Sequence, residues 1–319
     1  MQSIDPDFSL HVVAGVIRNE NGEILLSRRP PGRHQAGKWE FPGGKVEAGE
    51  TAQAALAREL GEELGISASN LLPRIQVPYR YPDREIQLDV YDVLDYSGEP
   101  RGLEDQELTW VPLPELTRYE YPAANLPILT SLALPDWYAI SNCMALGEKR
   151  FLQILQRKLG NGLRLLQVRE PEMKPENFTS LSHKIVAIAH RHQARVLLNT
   201  DDPSLVKSTR ADGIHLNSGL VDRLQSRPLP GSHLVAASCH SKAQLEKAQQ
   251  LSADFVVLSP VQSTASHPEA TPIGWDGFAG LAQRCAMPIY ALGGMKRSDV
   301  NLARQHGGQG IAAIGDSWK

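Results

Sequence analysis

The chain has 319 residues, 41% of them hydrophobic, with a formal net charge of −3 and a pI near 6.4. That length predicts two domains, and the charge excludes the basic surface with which a protein grips a nucleic-acid duplex. The three scattered cysteines, Cys143, Cys239 and Cys285, argue against disulfides or a zinc site; with no leader and no membrane-length apolar run, they point to a cytoplasmic protein without a membrane partner.

In chain order, residues 1–132 read as one α+β domain, with strands expected over His11–Arg18, Glu23–Arg28, Glu85–Leu94 and Thr109–Pro112. Between them one strong helix is expected over Ala52–Leu64. After the segment LPDW (Leu134–Trp137) the pattern changes to alternating strands and helices over residues 136–319. Eight short apolar runs read as strands: YAIS (138–141), LRLLQVR (163–169), RVLLNT (195–200), GIHLN (213–217), HLVAAS (233–238), DFVVLS (254–259), PIYAL (288–292) and GIAAI (310–314). Helices are expected between them over Lys149–Leu159, Phe178–His192, Lys242–Leu251 and Asp299–His306. Eight strands alternating with helices predict a parallel (β/α)₈ barrel, and the chain stops so soon after the eighth strand that the last helix can only be a stub.

The stretch GGKVEAGETAQAALARELGEELGI (43–66) carries the chemistry. Glu59, Glu62 and Glu63 stand at i, i+3 and i+4 and share a helix face beside an apolar stripe of Leu56, Leu60 and Leu64. Gly65 supplies the helix stop. Like charges at this spacing repel. A hard divalent cation reverses the sign of that cost, because Mg²⁺ takes oxygen ligands and keeps positions for phosphate partners. The bland alternative is a solvated acidic face.

Gly44, Glu50, Arg58-Glu59-Leu60, Glu62-Glu63, Gly65 and Ile66 occupy the fixed positions of the Nudix box, and the first half resembles the Nudix hydrolases. The resemblance implies a mixed sheet sandwiched by helices and a loop–helix–loop site that cleaves a nucleoside diphosphate linked to another group. It implies that Glu59, Glu62 and Glu63 bind Mg²⁺, with Mn²⁺ as an alternative ion, and that Gly44 lends a backbone oxygen. It further implies that Glu50 supports the loop or a metal-bound water and that Arg58 holds the carboxylates by a bidentate ion pair. The ion would neutralise phosphate oxygens and align water for attack.

The substrate is suggested by further stretches. VIRNENGEILLSRR (16–29), WEFPGGKVEAGET, YPDREI (81–86), GEPRGLEDQELTWV (98–111) and YPAANLPI (121–128) resemble the MutT type, the 8-oxo-dGTP diphosphatases. This likeness implies that Asn125 reads the oxidised purine through its amide, which offers one acceptor and two donors. It places Phe41 and Arg84 in the base pocket, Arg28 on a phosphate, and Glu104 as a further metal-binding or catalytic carboxylate. Asn125 also reads as a loop turn, Glu104 as a solvated loop residue and Phe41 as ordinary core. The reaction implied is hydrolysis of 8-oxo-dGTP to the monophosphate and pyrophosphate, which cleans the nucleotide pool and protects DNA replication.

The second half resembles thiamine phosphate synthase and the TenI-type thiazole tautomerases through LQVRE (166–170), LLNT (197–200), ADGIHLN (211–217), ASCHS (237–241), LSPVQST (258–264) and ALGG (291–294). The likeness makes Arg169, Asn199, His240, Gly293 and Gly294 the candidate residues of this half. Gly293 and Gly294 would let backbone amides approach a phosphate. His240 would move protons in a tautomerase, or be structural. His215 reads as structural. The synthase pattern is incomplete: Pro171 stands where its lysine is expected, Thr200 replaces an aspartate although Asp201 and Asp202 follow at once, Leu220 falls at its second magnesium aspartate, and His267 falls near a further lysine. These losses argue against synthase activity and leave a thiazole phosphate or thiamine phosphate as the barrel's expected ligand. Two alternatives stand beside this reading. In one, both halves serve thiamine metabolism, the first hydrolysing pyrimidine pyrophosphates and the barrel acting as a thiazole tautomerase or thiazole-phosphate binder; in the other the barrel only binds a ligand or dimerises.

Overall fold

The computed structural model describes residues 10–32, 35–264 and 269–319, so His267 lies outside the described residues. The chain divides into two compact units, the first comprising Met1–Ala133 with Gln283–Ala286 and the second Leu134–Ala282 with Met287–Lys319. Among the described residues no helix is long and apolar enough to cross a membrane.

The first unit contains β1 (Leu10–Ile17), β2 (Ile24–Arg28), β3 (Trp39–Glu40), α1 (Ala52–Leu64), β4 (Ser67–Arg80), β5 (Glu85–Ser97), β6 (Leu108–Val111) and α2 (Leu126–Ala133). A mixed sheet runs β1-β5-β4, with β1 parallel and β4 antiparallel to β5. A smaller antiparallel sheet runs β3-β2-β6. The leucine stripe of α1 packs with Val13, Ile17, Tyr91 and Val93, while Ile128 and Leu132 of α2 pack with Ala14, Val16, Ile75 and Val77. Period-2 alternation along β1 thus sends its two side-chain sets to different helices, and the mixed sheet is sandwiched as expected.

The expected helix and the strands β1, β2, β5 and β6 are present to within a few residues of their expected ends. The 14-residue β4 is an addition. Pro73 and Pro78 interrupt its pattern, and the register slips between Ala68 and Asn70, Asn70 and Leu71, and Pro73 and Ile75. Proline is tolerated there because β4 lies at the edge of its sheet, where an N–H is dispensable.

The second unit is a closed barrel of eight parallel strands, the fold expected. They are β7 (Trp137–Ile140), β8 (Leu165–Val168), β9 (Arg195–Leu198), β10 (Gly213–Leu216), β11 (Leu234–Cys239), β12 (Phe255–Leu258), β13 (Ile289–Ala291) and β14 (Gly310–Ala313). The expected helices appear as α4 (Glu148–Gly160), α5 (Pro175–His190), α8 (Lys242–Gln250) and α10 (Val300–Gln305), joined by shorter α3 (Cys143–Leu146), α6 (Ser204–Thr209), α7 (Ser218–Arg223) and by α9 (Gly274–Ala282). Tyr138, Phe255 and Tyr290 meet at ring separations of 5.3–5.8 Å and fill the interior. After β14 the chain makes a single turn, Gly315–Trp318, whose Trp318 indole donates to the Ile140 carbonyl at 2.7 Å and packs on Phe151 at 4.6 Å.

Candidate functional site

The strongest candidate is built on α1. Thr51 caps its start by accepting from the Ala54 N–H at 3.2 Å, and Gly65 ends it at φ 68. Leu56, Leu60 and Leu64 are fully buried. Each contributes about 1.5–3 kcal/mol, which outweighs the roughly 0.2–0.5 kcal/mol of each like-charge pair on the opposite face. The apolar stripe therefore fixes the helix rotation and carries the glutamates into place.

Arg58 organises those glutamates. Its Nη2 lies 2.7 Å and its Nε 3.3 Å from the two Glu50 oxygens, and Nη1 reaches Glu59 at 3.1 Å and Glu62 at 3.0 Å. Nη2 also donates to the Lys45 carbonyl at 3.0 Å, tying the loop to the helix. The bidentate partner is thus Glu50, whose carboxyl is held below its usual range by Arg58 and by the Glu47 N–H. Glu50 is a clamp on the loop.

Glu59 and Glu63 line a cavity of about 380 Å³ with Glu40, Phe41, Gly44, Arg84, Glu104 and Asn125. Glu62 is not among the residues lining it; it is largely exposed and turned onto Arg58. Burial pushes the Glu63 carboxyl up to about 7, helped by the charges of Glu59, Glu40 and Glu104, against a hydrogen bond from the Gly43 backbone. A carboxyl so crowded by anions calls for a cation.

Two glycines make room. A Cβ on Gly44 would stand 2.2 Å from the Glu59 carboxyl, and one on Gly43, at φ 150, would stand 2.1 Å from the Val13 carbonyl oxygen. The Gly44 oxygen, expected on the metal, accepts the Val13 N–H at 2.8 Å. Among the described residues no three Asp, Glu, His or Cys groups already close around an ion position. The donor class nevertheless fits a hard divalent cation: all carboxylate oxygen, with the Glu63 proton affinity raised by burial and by the neighbouring carboxylates. Glu59, Glu63 and Glu104 are the groups in the cavity that would hold it.

Across the cavity, Phe41 stacks on Tyr121 at 6.1 Å, and Arg84 is held by Asp83 at 2.6 and 2.9 Å. Asn125 ends the turn Ala123–Asn125 and is 8% exposed. Among the described residues nothing hydrogen-bonds its side-chain amide. Arg28 lies over Trp39 at 5.9 Å and donates to Glu107 and the Gly37 carbonyl. Its neighbour Arg29 pairs with Glu40 inside the same cavity. Arg29, Glu40, Tyr81 and Gln106 were not singled out by sequence reasoning. Their places in RR, WEF, YPDR and EDQE lay within the stretches quoted, but only the fold turns them inward.

In the barrel, Arg169, Asn199 and His240 each follow directly on a strand end, and Gly293 and Gly294 follow β13. They share the C-terminal rim, where barrel sites form. His240 Nδ1 lies 2.7 Å from the Ser259 carbonyl, to which it donates. Gly293 and Gly294 have φ of 103 and 70, and a Cβ on either would come within 3.0 Å of backbone in residues 260–263. Asn199 donates to Gln167 at 3.1 Å. His215 is buried between Tyr138 Oη at 3.1 Å and Ser238 Oγ at 2.8 Å. Burial, and then Arg169, lower it to about 3, so it is neutral. Glu170, which follows Arg169, is buried and accepts from Ser141 Oγ and from the Cys143 and Met144 N–H groups at 2.6–3.0 Å. Leu220 is buried in α7 and offers no ligand oxygen.

Residues 13–131 match the family described as NUDIX domain, and residues 137–316 match the family described as Thiamine monophosphate synthase. The 8-oxo-dGTP diphosphatase of Escherichia coli (strain K12) is 43% identical over 39% of this chain and 95% of its own length. The CTP pyrophosphohydrolase of the same organism is 40% identical over 38% of this chain and 88% of its own. A putative thiamine-phosphate synthase 2 from Aquifex aeolicus (strain VF5) is 32% identical over 57% of this chain and 97% of its own.

Proposed function

The chain belongs to the Nudix family through its first unit and to the thiamine monophosphate synthase family through its second, and on that premise we propose that the first unit hydrolyses 8-oxo-dGTP to 8-oxo-dGMP and pyrophosphate. The observation that carries this reading is Asn125. Its side chain lines the same cavity as Glu59, Glu63 and Glu104, and its amide, with one acceptor and two donors, suits a purine edge.

Water attacks the β-phosphorus; the bond from that phosphorus to the bridging oxygen breaks, and 8-oxo-dGMP leaves. Bound Mg²⁺, or Mn²⁺, would neutralise phosphate oxygens and align the water. Glu59, Glu63 and Glu104 hold the ion's place, and Arg58 holds Glu59. Phe41, Arg84 and Asn125 fix the base, while Arg28 and Arg29 supply positive charge to the phosphates. Glu62 belongs to the same face through Arg58. The cellular consequence is removal of an oxidised precursor before replication uses it.

The barrel keeps the phosphate-approach glycines and His240 but lacks the charges that a magnesium pyrophosphate needs, so it is a holder of thiazole phosphate or thiamine phosphate. Its family membership favours a second reading, in which the first unit hydrolyses a pyrimidine pyrophosphate of thiamine metabolism. Hydrolysis in ¹⁸O-water tests the chemistry of the first reading. It places the label in pyrophosphate; label in the nucleoside monophosphate, or release of single orthophosphate, overturns it.

A further inference from the structure

We propose that Gln106 is the positioning residue that sets Glu104 against the carboxylates of α1, through one side-chain amide that grips both the glutamate's loop and the helix end. The inference rests on reading the α1 cavity as the hydrolytic site.

A helix leaves its last carbonyls without intrahelical partners. In α1 these are taken by the segment that carries Glu104. The Arg101 N–H donates to the Leu64 carbonyl at 3.0 Å, and the Leu103 N–H to the Glu63 carbonyl at 2.9 Å. Gln106 adds a second donor to that Glu63 carbonyl through Nε2, at 2.9 Å. Its Oε1 in turn accepts the Glu104 N–H at 2.8 Å. One amide therefore spans the backbone of Glu63 and the backbone of Glu104, the two residues whose side chains repel each other in the cavity.

The loop is shaped for this grip. Asp105 sits at φ 60, which turns the chain so that the residue after it reaches back over the residue before it. Gly102 admits the Gln106 backbone: a Cβ there would lie 2.2 Å from the Gln106 carbonyl oxygen and 3.2 Å from Oε1. The amide is chemically specific, because the position needs an acceptor toward Glu104 and a donor toward Glu63. Glutamate offers only acceptors when ionised, and methionine has the length but makes neither bond.

Glu104 is exposed and lies on a loop. A carboxylate on a loop must be referenced to the rest of the site, since a misplacement of about 1 Å can cost about 10²-fold in rate. Gln106 gives that reference through the backbones of the loop and of the helix end.

The test compares Gln106→Met, Gln106→Glu, Glu104→Gln and the double variant Gln106→Met/Glu104→Gln in the full chain. Two readouts are taken: nucleotide hydrolysis with Mg²⁺, and hydrogen–deuterium exchange of the Glu104 amide without metal or nucleotide. Gln106→Met should lower kcat about tenfold to a hundredfold with KM changed less than about threefold. It should speed exchange at Glu104, and it should cost nothing further in the Glu104→Gln background. Gln106→Glu should fail to restore the rate. Unchanged exchange at Glu104, multiplicative losses in the double variant, or a Glu104→Gln enzyme of normal rate each overturns the proposal. A wild-type chain that hydrolyses no nucleotide instead removes the functional reading, and the exchange experiment then decides the Gln106 tie by itself.

Discussion

Arg58 holds Glu50 with two of its nitrogens, Nη2 at 2.7 Å and Nε at 3.3 Å, while its third nitrogen reaches Glu59 and Glu62. A single guanidinium thus fixes the loop and neutralises part of the acidic face. Lysine keeps the charge but not the fork. Arg58→Lys should lower kcat for nucleotide hydrolysis by about tenfold to a hundredfold, matching a loss of about 1–3 kcal/mol of hydrogen bonding to charged groups. Steady-state kinetics check this; a variant with the wild-type rate would show that the fork is dispensable.

The adjacent glycines should fail differently. Gly44→Ala puts a methyl 2.2 Å from the Glu59 carboxyl, the mobile end of a side chain that can swing away. Stability should change by no more than about 1 kcal/mol while activity falls by about 10²-fold or more. Gly43→Ala meets the Val13 backbone at 2.1 Å with φ at 150, and neither can yield. It should destabilise the first unit by several kcal/mol, on the order of the largest single-residue effects. Thermal melts beside rate measurements separate the two.

Asn125→Ala should raise KM for 8-oxo-dGTP more than for dGTP, because the amide faces the cavity and is satisfied by no described protein group. A preference of about tenfold should be lost, the worth of one good hydrogen bond of about 1.4 kcal/mol. Equal changes for both nucleotides would show that Asn125 does not sense oxidation.

His215 predicts a pH dependence. Its folded-state value, lowered to about 3, lies below the ordinary 6.5. The unfolded chain therefore binds a proton in that window and the folded barrel does not. Stability is complete above about pH 6.5 and is lost as pH falls toward 3. Between pH 7 and 5 the loss is about 2 kcal/mol from this residue, from about 1.4 kcal/mol per pH unit below 6.5. Urea denaturation of the barrel should show this slope, and His215→Gln should flatten it. An identical slope in the variant would reject the assignment.

How much of this was legible in the sequence differs by element. α1 was readable because its apolar period, its glycine stop and its fixed acidic positions agree. The barrel strands were readable because buried parallel strands are short β-branched and leucine-rich runs. β4 was not, since Pro73 and Pro78 contradict a strand until the edge position is known. Phe41, Arg84, Glu104 and Asn125 could be named, and the structure brings them to one cavity with Glu59 and Glu63. The turning of Glu62 onto Arg58 depends on side-chain geometry, and the Gln106 tie to Glu63 joins residues 43 positions apart. The first is an i,i+4 pair whose spacing was readable though its choice of partner was not; the second leaves no local pattern.

The most direct measurement is kcat/KM of the full chain with Mg²⁺ for 8-oxo-dGTP, dGTP, CTP and the pyrimidine pyrophosphate of thiamine metabolism, assayed in one series. The carboxylate cavity and Asn125 predict the highest value for 8-oxo-dGTP, with pyrophosphate released. A higher value for CTP or for the pyrimidine pyrophosphate, or no Mg²⁺-dependent turnover of any of the four, would contradict the assignment.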